Sequence, residues 1–134
     1  FPGETEKDFA KLCDFVAESR FERLGVFTYS HEENTWAGDR LKDSVPDAVK
    51  KERFRRLMDI QAGISAELNR EKVGKTLNVM IDRKEANSYV GRTQYDSPEI
   101  DNEVIATSHK TIKTGNLYPV SITRSSSYDL YGTL

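Results

Sequence analysis

Three carboxylates fall within six positions of this chain, in Asp96-Ser97-Pro98-Glu99-Ile100-Asp101, directly after Gly91-Arg92-Thr93-Gln94-Tyr95. Asp and Ser favour turns and Pro98 has no N–H for a sheet ladder, so residues 96 to 98 are expected to end a strand. Asp96, Glu99 and Asp101 then sit on an exposed corner with Ile100 between them. Such a corner is either a well-solvated acidic turn or a docking point for a Lys/Arg-rich protein loop, with Ile100 as its apolar contact. Charge of the opposite sign collects at Lys50, Lys51, Arg53, Arg55 and Arg56. That stretch reads as a solvated helix face in preference to a phosphate-tracking surface. Cys13, on an apolar helical stripe, reads as a small core residue. His31 and His109 are far outside metal-ligand spacing.

With 134 residues, 31% charged and 37% apolar, the chain has a globular composition. It is long enough for one ordinary domain or two very small ones. No run of 18 apolar residues exists to span a membrane, and the opening Phe1-Pro2-Gly3-Glu4-Thr5 does not read as a secretory leader. One cysteine excludes an internal disulfide and fits a reducing compartment. The net charge of −2 supplies no overall attraction to nucleic acid.

The elements that position these residues change character along the chain. Thr5 is an N-cap with Asp8 three residues on, and Phe9, Leu12, Cys13 and Val16 keep one helical stripe as far as about Arg20. Leu24-Gly25-Val26-Phe27-Thr28-Tyr29 is a short apolar run of the kind buried on both faces of a parallel sheet, although nothing else in the chain reads as its neighbour. His31 to Ser44 is polar and irregular, with Trp36 placed to cover an open sheet end. Pro46 opens a long helix, capped by Ser44 or Val45, and Phe54, Leu57, Met58, Gln61, Ile64 and Leu68 carry it to about Glu71. After Gly74 the period drops to two. Leu77 to Ile81, Tyr89 to Arg92, Val104 to Thr107, Leu117 to Thr123 and Tyr128 to Leu134 then predict a small antiparallel barrel. Gly115-Asn116 forms a turn, and Pro119 faces outward or lies at an edge.

Taken in order, these residues resemble a known family. Phe1-Pro2-Gly3-Glu4-Thr5 with Asp8-Phe9, then Gly25-Val26-Phe27-Thr28-Tyr29-Ser30 with Glu32-Glu33-Asn34-Thr35, is similar to the C-terminal part of radical S-adenosylmethionine (SAM) methylthiotransferases. Val73-Gly74-Lys75-Thr76-Leu77, Gly91-Arg92-Thr93, the Asp96 to Asp101 run and Tyr128-Asp129-Leu130-Tyr131-Gly132 resemble the TRAM barrel that ends those enzymes. The Glu-Glu pair after Tyr29-Ser30 and the Pro-Glu-Ile-Asp run look more like the ribosomal-protein (RimO-type) branch than the transfer-RNA branch.

The resemblance implies an α/β piece followed by an all-β one. Residues 1–71 would be the last helix, strand and helix of an open (β/α)6 radical-SAM barrel, and residues 72–134 a five-stranded, OB-like TRAM barrel. It also implies a parent enzyme that uses S-adenosylmethionine and two four-iron, four-sulfur clusters to methylthiolate an aspartate of the twelfth small-subunit ribosomal protein, in the cytoplasm. Because such clusters need several thiolates each, their ligands would lie upstream, with no catalytic residue in this chain. Phe1, Glu4, Tyr29 and Ser30 become candidates for the cofactor pocket, and Arg92, Asp96, Glu99, Ile100 and Asp101 for substrate contact. Asn34 stands where the family more often has glycine, and it can keep that left-handed geometry. Residues 72 to 134 hold eight Lys and Arg against seven Asp and Glu. This near balance, with its acidic corner, favours a basic ribosomal protein over transfer RNA or a non-catalytic RNA-binding role.

Overall fold

A computed structural model describes residues 1–98 and 101–134. They divide into two compact units, Phe1–Gln61 and Ala62–Leu134.

The first unit opens with helix α1 (Glu6–Ser19), started by a reciprocal capping box. The Thr5 hydroxyl accepts from the Asp8 N–H at 3.2 Å, and the Asp8 carboxylate accepts from the Thr5 N–H at 3.0 Å. Arg20, in the left-handed region at φ 49°, ends it. Of the apolar stripe, Phe9 and Val16 are buried, whereas Leu12 is exposed and Cys13 only half-buried, so Cys13 is not the core residue expected. The run from Leu24 to Tyr29 is not a strand. A strand exists through its ladder, and the chain offers this run no partner. It has no regular secondary structure, and Phe27 is 94% exposed. The loop beyond contains a short helix that the periodicity did not reveal, α2 (Trp36–Arg40), capped by Thr35 and entered through Asn34 at φ 62°. Trp36 is exposed rather than laid over a sheet end.

Helix α3 (Asp47–Arg70) starts one residue later than Pro46, whose carbonyl accepts from both Val49 and Lys50. Ser44 does not cap it: its hydroxyl accepts from the Gly3 N–H at 3.1 Å. At 1.5 Å per residue α3 is about 36 Å long.

The second unit holds a closed five-stranded barrel: β1 (Thr76–Glu85), β2 (Ser88–Arg92), β3 (Val104–Thr107), β4 (Leu117–Ser125) and β5 (Leu130–Thr133), in the order β1-β2-β3-β5-β4. Val79, Ile81, Tyr89, Val104, Ala106, Val120, Ile122 and Leu130 point into one core, the alternation that sequence period two requires. Four of the five pairings are antiparallel, but β3 and β5 run parallel, in register Val104↔Leu130 to Thr107↔Thr133. The expected all-antiparallel barrel is therefore corrected on one seam. An odd number of strands cannot alternate direction all the way round a ring, so one adjacent pair must be parallel.

Two glycines let the barrel close. A Cβ on Gly91 would lie 2.1 Å from the Met80 carbonyl oxygen, and one on Gly132 would lie 2.5 Å from that of Ser121. Pro119 faces outward as expected, and Gly115 turns at φ 80°. Strand β5 begins two residues after Tyr128, because Ser126 and Asp129 close a turn around that position.

Candidate functional site

Each unit carries one set of the residues singled out in the sequence. In the first, Phe1, Glu4 and Tyr29 line a single pocket of about 110 Å³ together with Lys50 and Arg53. Ser30 does not line it: its hydroxyl lies 3.5 Å from the Glu32 carboxylate. The Phe1 and Tyr29 rings meet edge to face at 5.4 Å. Lys50 Nζ sits 5.7 Å from the centre of the Tyr29 ring and pairs with Asp43 and Asp47, whose hydrogen bonds, Asp43's first, hold its ammonium above the usual lysine range.

Arg53 departs from the solvated-face reading of the basic stretch, which holds for the exposed Lys51 and Arg55. Only 8% exposed, it donates through Nη1 to the Glu4 carboxylate at 2.7 Å and to the Glu4 carbonyl at 3.2 Å, and its Nη2 lies 3.4 Å from Glu6. Arg56 pairs with Glu6 at 3.0 Å, and that hydrogen bond is the main reason the Glu6 carboxyl titrates below the usual range. Arg55 pairs with Asp59 at 3.0 Å. The cations of α3 are thus largely spent on carboxylates of their own unit. The signal was present in the sequence: Arg53 precedes Leu57 by four residues and so lies on the buried stripe of the helix.

Two buried polar atoms of this pocket's side chains, Tyr29 Oη and Arg53 Nε, lack a hydrogen-bond partner among the described residues. Both can donate, so the pocket suits an acceptor-bearing group. Its volume falls short of the roughly 300 Å³ at which small-molecule sites begin. These residues fit one wall of a nucleoside site and not a whole one. They do not fit an iron–sulfur cluster. Cys13 is the single thiol, burial raises its pKa, and no group of three or more His, Cys, Asp or Glu among the described residues is placed to hold a metal ion.

In the second unit, β2 ends at Arg92 as the Tyr89 to Arg92 run predicts, and just beyond it Asp96 closes a turn on Thr93. The Asp96 Oδ2 accepts from the Thr93 hydroxyl at 2.6 Å and from its N–H at 3.1 Å. Asp101 Oδ2 accepts from the Ser97 N–H at 2.7 Å. Both carboxylates are half-buried and hold the loop, so the corner is not the fully exposed one expected. Glu99 and Ile100 lie outside the described residues. Arg92 is brought beside Asp82 at 3.2 Å and lies between two grooves. One, of about 540 Å³, is lined by Thr76, Asn78, Met80, Tyr95, Asp96 and Leu117. The other, of about 350 Å³, is lined by Asp82, Arg83, Asp101 and Glu103, with Arg83 paired to Glu103 at 2.8 Å. Across both, four carboxylates (Asp82, Asp96, Asp101, Glu103) face two guanidinium groups (Arg83, Arg92). The residues that the sequence did not single out here are Met80, Tyr95 and Leu117. Tyr95 and Leu117 are exposed, and Leu117 stands across β4 from Met80.

Residues 73–134 match the family model described as the TRAM domain. Over its whole length the chain is similar to proteins named ribosomal protein uS12 methylthiotransferase RimO. It is 53% identical over 133 residues to the one from Christiangramia forsetii, covering 98% of this chain and 29% of that protein. It is 50% identical over 131 residues to that of Parabacteroides distasonis and 48% over 134 residues to that of Bacteroides thetaiotaomicron. The chain matches RimO proteins from end to end and corresponds to their C-terminal portion, about 30% of their length. The barrel is the part that the TRAM model matches. The radical-SAM barrel expected around residues 1–71 has no sheet here, consistent with the missing ladder at Leu24 to Tyr29. No helix among the described residues is long and apolar enough to cross a membrane.

Proposed function

We propose that this chain is the substrate-recognition end of a radical-SAM methylthiotransferase, acting in the cytoplasm, that modifies an aspartate of ribosomal protein uS12. The observation that carries the reading is the near 50% identity to RimO proteins across the whole chain rather than across the TRAM part alone. In the parent protein, residues 1–71 complete the catalytic barrel and residues 72–134 receive the ribosomal protein. S-adenosylmethionine and two four-iron, four-sulfur clusters supply the radical chemistry when bound. The clusters are ligated upstream of Phe1. Phe1, Glu4 and Tyr29, with Arg53, contribute one wall of the nucleoside site, where Tyr29 Oη and Arg53 Nε donate to acceptors. Ser30, outside the pocket, is given no part in it.

The barrel's charge supports a protein over transfer RNA. Arg92, Asp96 and Asp101, with Asp82 and Glu103, present a face of net negative sign that repels a phosphate backbone and attracts Lys and Arg. Glu99 and Ile100 complete that contact in this reading.

The test uses the full-length parent with its clusters reconstituted. It is expected to transfer a methylthio group to uS12, read by mass spectrometry, and to leave transfer RNA unmodified. Asp96→Asn with Asp101→Asn keeps an acceptor oxygen for Thr93 and Ser97 while removing two charges. This variant is expected to weaken uS12 binding several-fold at low salt and hardly at all at high salt. Modification of transfer RNA instead of uS12 would refute the reading.

A further inference from the structure

Among the described residues, the start of β1 is a short length of open strand edge. Strand β1 pairs with β4 from Thr76 to Met80, but its pairing with β2 begins only at Met80, opposite Arg92. The first four residues of β1 thus have no strand on their second side among the described residues, and there the larger groove lies.

The direction of the free backbone groups follows from a proline. Residues directly opposite in an antiparallel ladder alternate between pairs that exchange hydrogen bonds and pairs that do not. Asn78 faces Pro119, which has no N–H, so this is a non-bonded pair. The groups of Asn78, and by alternation those of Thr76, therefore point away from β4. The opposite parity agrees: the Ile81 N–H donates to the Asn116 carbonyl at 3.0 Å, and the Ile81 carbonyl accepts from the Gly115 N–H at 2.7 Å. Met80 shares the parity of Asn78 and finds β2. Among the described residues, Thr76 and Asn78 have the groove and no strand on that side.

The groove has the remaining parts of a strand-addition site. Its 540 Å³ lies in the range of sites that enclose a ligand. Met80 and its cross-strand partner Leu117, the latter 61% exposed, line it with apolar surface, and Tyr95, with Lys72 Nζ 5.3 Å from its ring, lines it too. The groove itself has one carboxylate, Asp96, against Arg92, and past Arg92 it meets the second groove, where Asp82, Asp101 and Glu103 outnumber Arg83 and Arg92 and favour a basic occupant. An open edge attracts any extended chain, and the charge around this one decides which.

We infer that the Thr76–Asn78 edge of β1 binds an extended, basic segment of the protein substrate as an added strand, with one apolar side chain of that segment on Met80 and Leu117. This rests on the uS12 reading above and names the backbone that would do the recognising.

The experiment measures uS12 binding to the full-length parent, with hydrogen-exchange mass spectrometry across residues 76–80 in the same samples. Binding is expected to slow exchange there. Asn78→Pro removes one edge N–H that the β4 ladder does not use, and is expected to weaken binding about 3- to 10-fold. Leu117→Ser alters a side chain already in solvent, so the barrel keeps its fold, and a loss of about 3-fold or more is expected. In turnover both variants are expected to raise KM with kcat unchanged. If uS12 binds and is modified while exchange at Thr76 and Asn78 is no slower than in the unbound protein, or while Leu117→Ser binds as tightly as wild type, the edge proposal falls and the function stands. If the wild-type parent neither binds nor modifies uS12, both fall. Protection of residues 76–80 by transfer RNA and not by uS12 would also overturn the proposal.

Discussion

Asn69 is completely buried at the end of α3, and its amide has only one sensible orientation. Its Nδ2 donates to the Tyr128 carbonyl at 2.9 Å and lies 3.5 Å from the Ser126 carbonyl, while its Oδ1 has no partner among the described residues. Carbonyls only accept, so the NH2 must face them. The amide thus fixes the turn between β4 and β5, the turn that sets where β5 begins. Asn69→Ala removes one good, part-buried bond and leaves the Tyr128 carbonyl without it, a loss of about 1–3 kcal/mol, less whatever the unpartnered Oδ1 costs in the wild type. A net destabilisation of about 1–2 kcal/mol follows. Asn69→Asp is the sharper perturbation, because it keeps the shape and places a carboxylate against two carbonyl oxygens.

At neutral pH that buried charge faces carbonyl oxygens that cannot donate to it, and the cost rises to several kcal/mol. The protonated acid can donate to Tyr128 as the amide did. The variant's folded pKa is therefore raised above the unfolded value of about 3.9. A raised folded pKa means that stability is fully present below about pH 3.9 and is lost as pH rises through the folded value. Urea unfolding followed by circular dichroism, run from acid to neutral pH on wild type, Asn69→Ala and Asn69→Asp, reads this directly. The Asp variant should be weaker than Ala at pH 7 and recover relative to it in acid. An Asp variant as stable as wild type at pH 7 would refute the burial and the bond to Tyr128.

Two further predictions address the scaffold. Gly91→Ala forces a methyl against the Met80 carbonyl and is expected to cost about 3 kcal/mol or to prevent barrel closure, whereas Gly63→Ala in α3 meets nothing within 4 Å and should stabilise by about 0.5–1 kcal/mol; thermal melts of the two variants decide. The Thr5 hydroxyl that donates to Asp8 is the main cause of that carboxyl's lowered pKa, so its contribution to α1 is present above about pH 3.9 and lost as pH falls through the lower folded value. An acid titration of helicity should show that loss in wild type and not in Asp8→Ala.

The fold was legible where local chemistry dictates it. Thr5 and Asp8 announce a capping box through spacing alone, and the change from period 3.6 to period 2 after Gly74 separates α3 from the barrel. What stayed hidden depends on closure and pairing. The parallel β3–β5 seam follows from counting strands in a ring, which no single segment reveals. Leu24 to Tyr29 has the composition of a buried strand, yet composition cannot create a ladder without neighbours. The site was legible in its residue types and misread in its exposure. Asp96 and Asp101 follow β2, but the same short side chains that favour turns bend back onto Thr93 and Ser97.

That double use of the acidic residues bears on how the barrel can recognise a partner. A carboxylate holding two donors of its own loop has spent part of its hydrogen-bonding capacity, and its remaining lone pairs and its charge are what it offers outward. Asp96 and Asp101 therefore act on a basic partner chiefly as fixed sources of potential, which favours encounter and sign without fixing register. Register has to come from groups with direction, and on this face those are the backbone donors and acceptors of Thr76 and Asn78 beside the Met80–Leu117 pair. An arrangement in which side-chain charge attracts and strand edge aligns predicts separable effects: neutralising Asp96 and Asp101 should change the association rate and its salt dependence, whereas blocking the edge at Asn78 should change the dissociation rate. Stopped-flow binding of uS12 to the two sets of variants distinguishes them, and a charge variant that altered only dissociation would count against this division of labour.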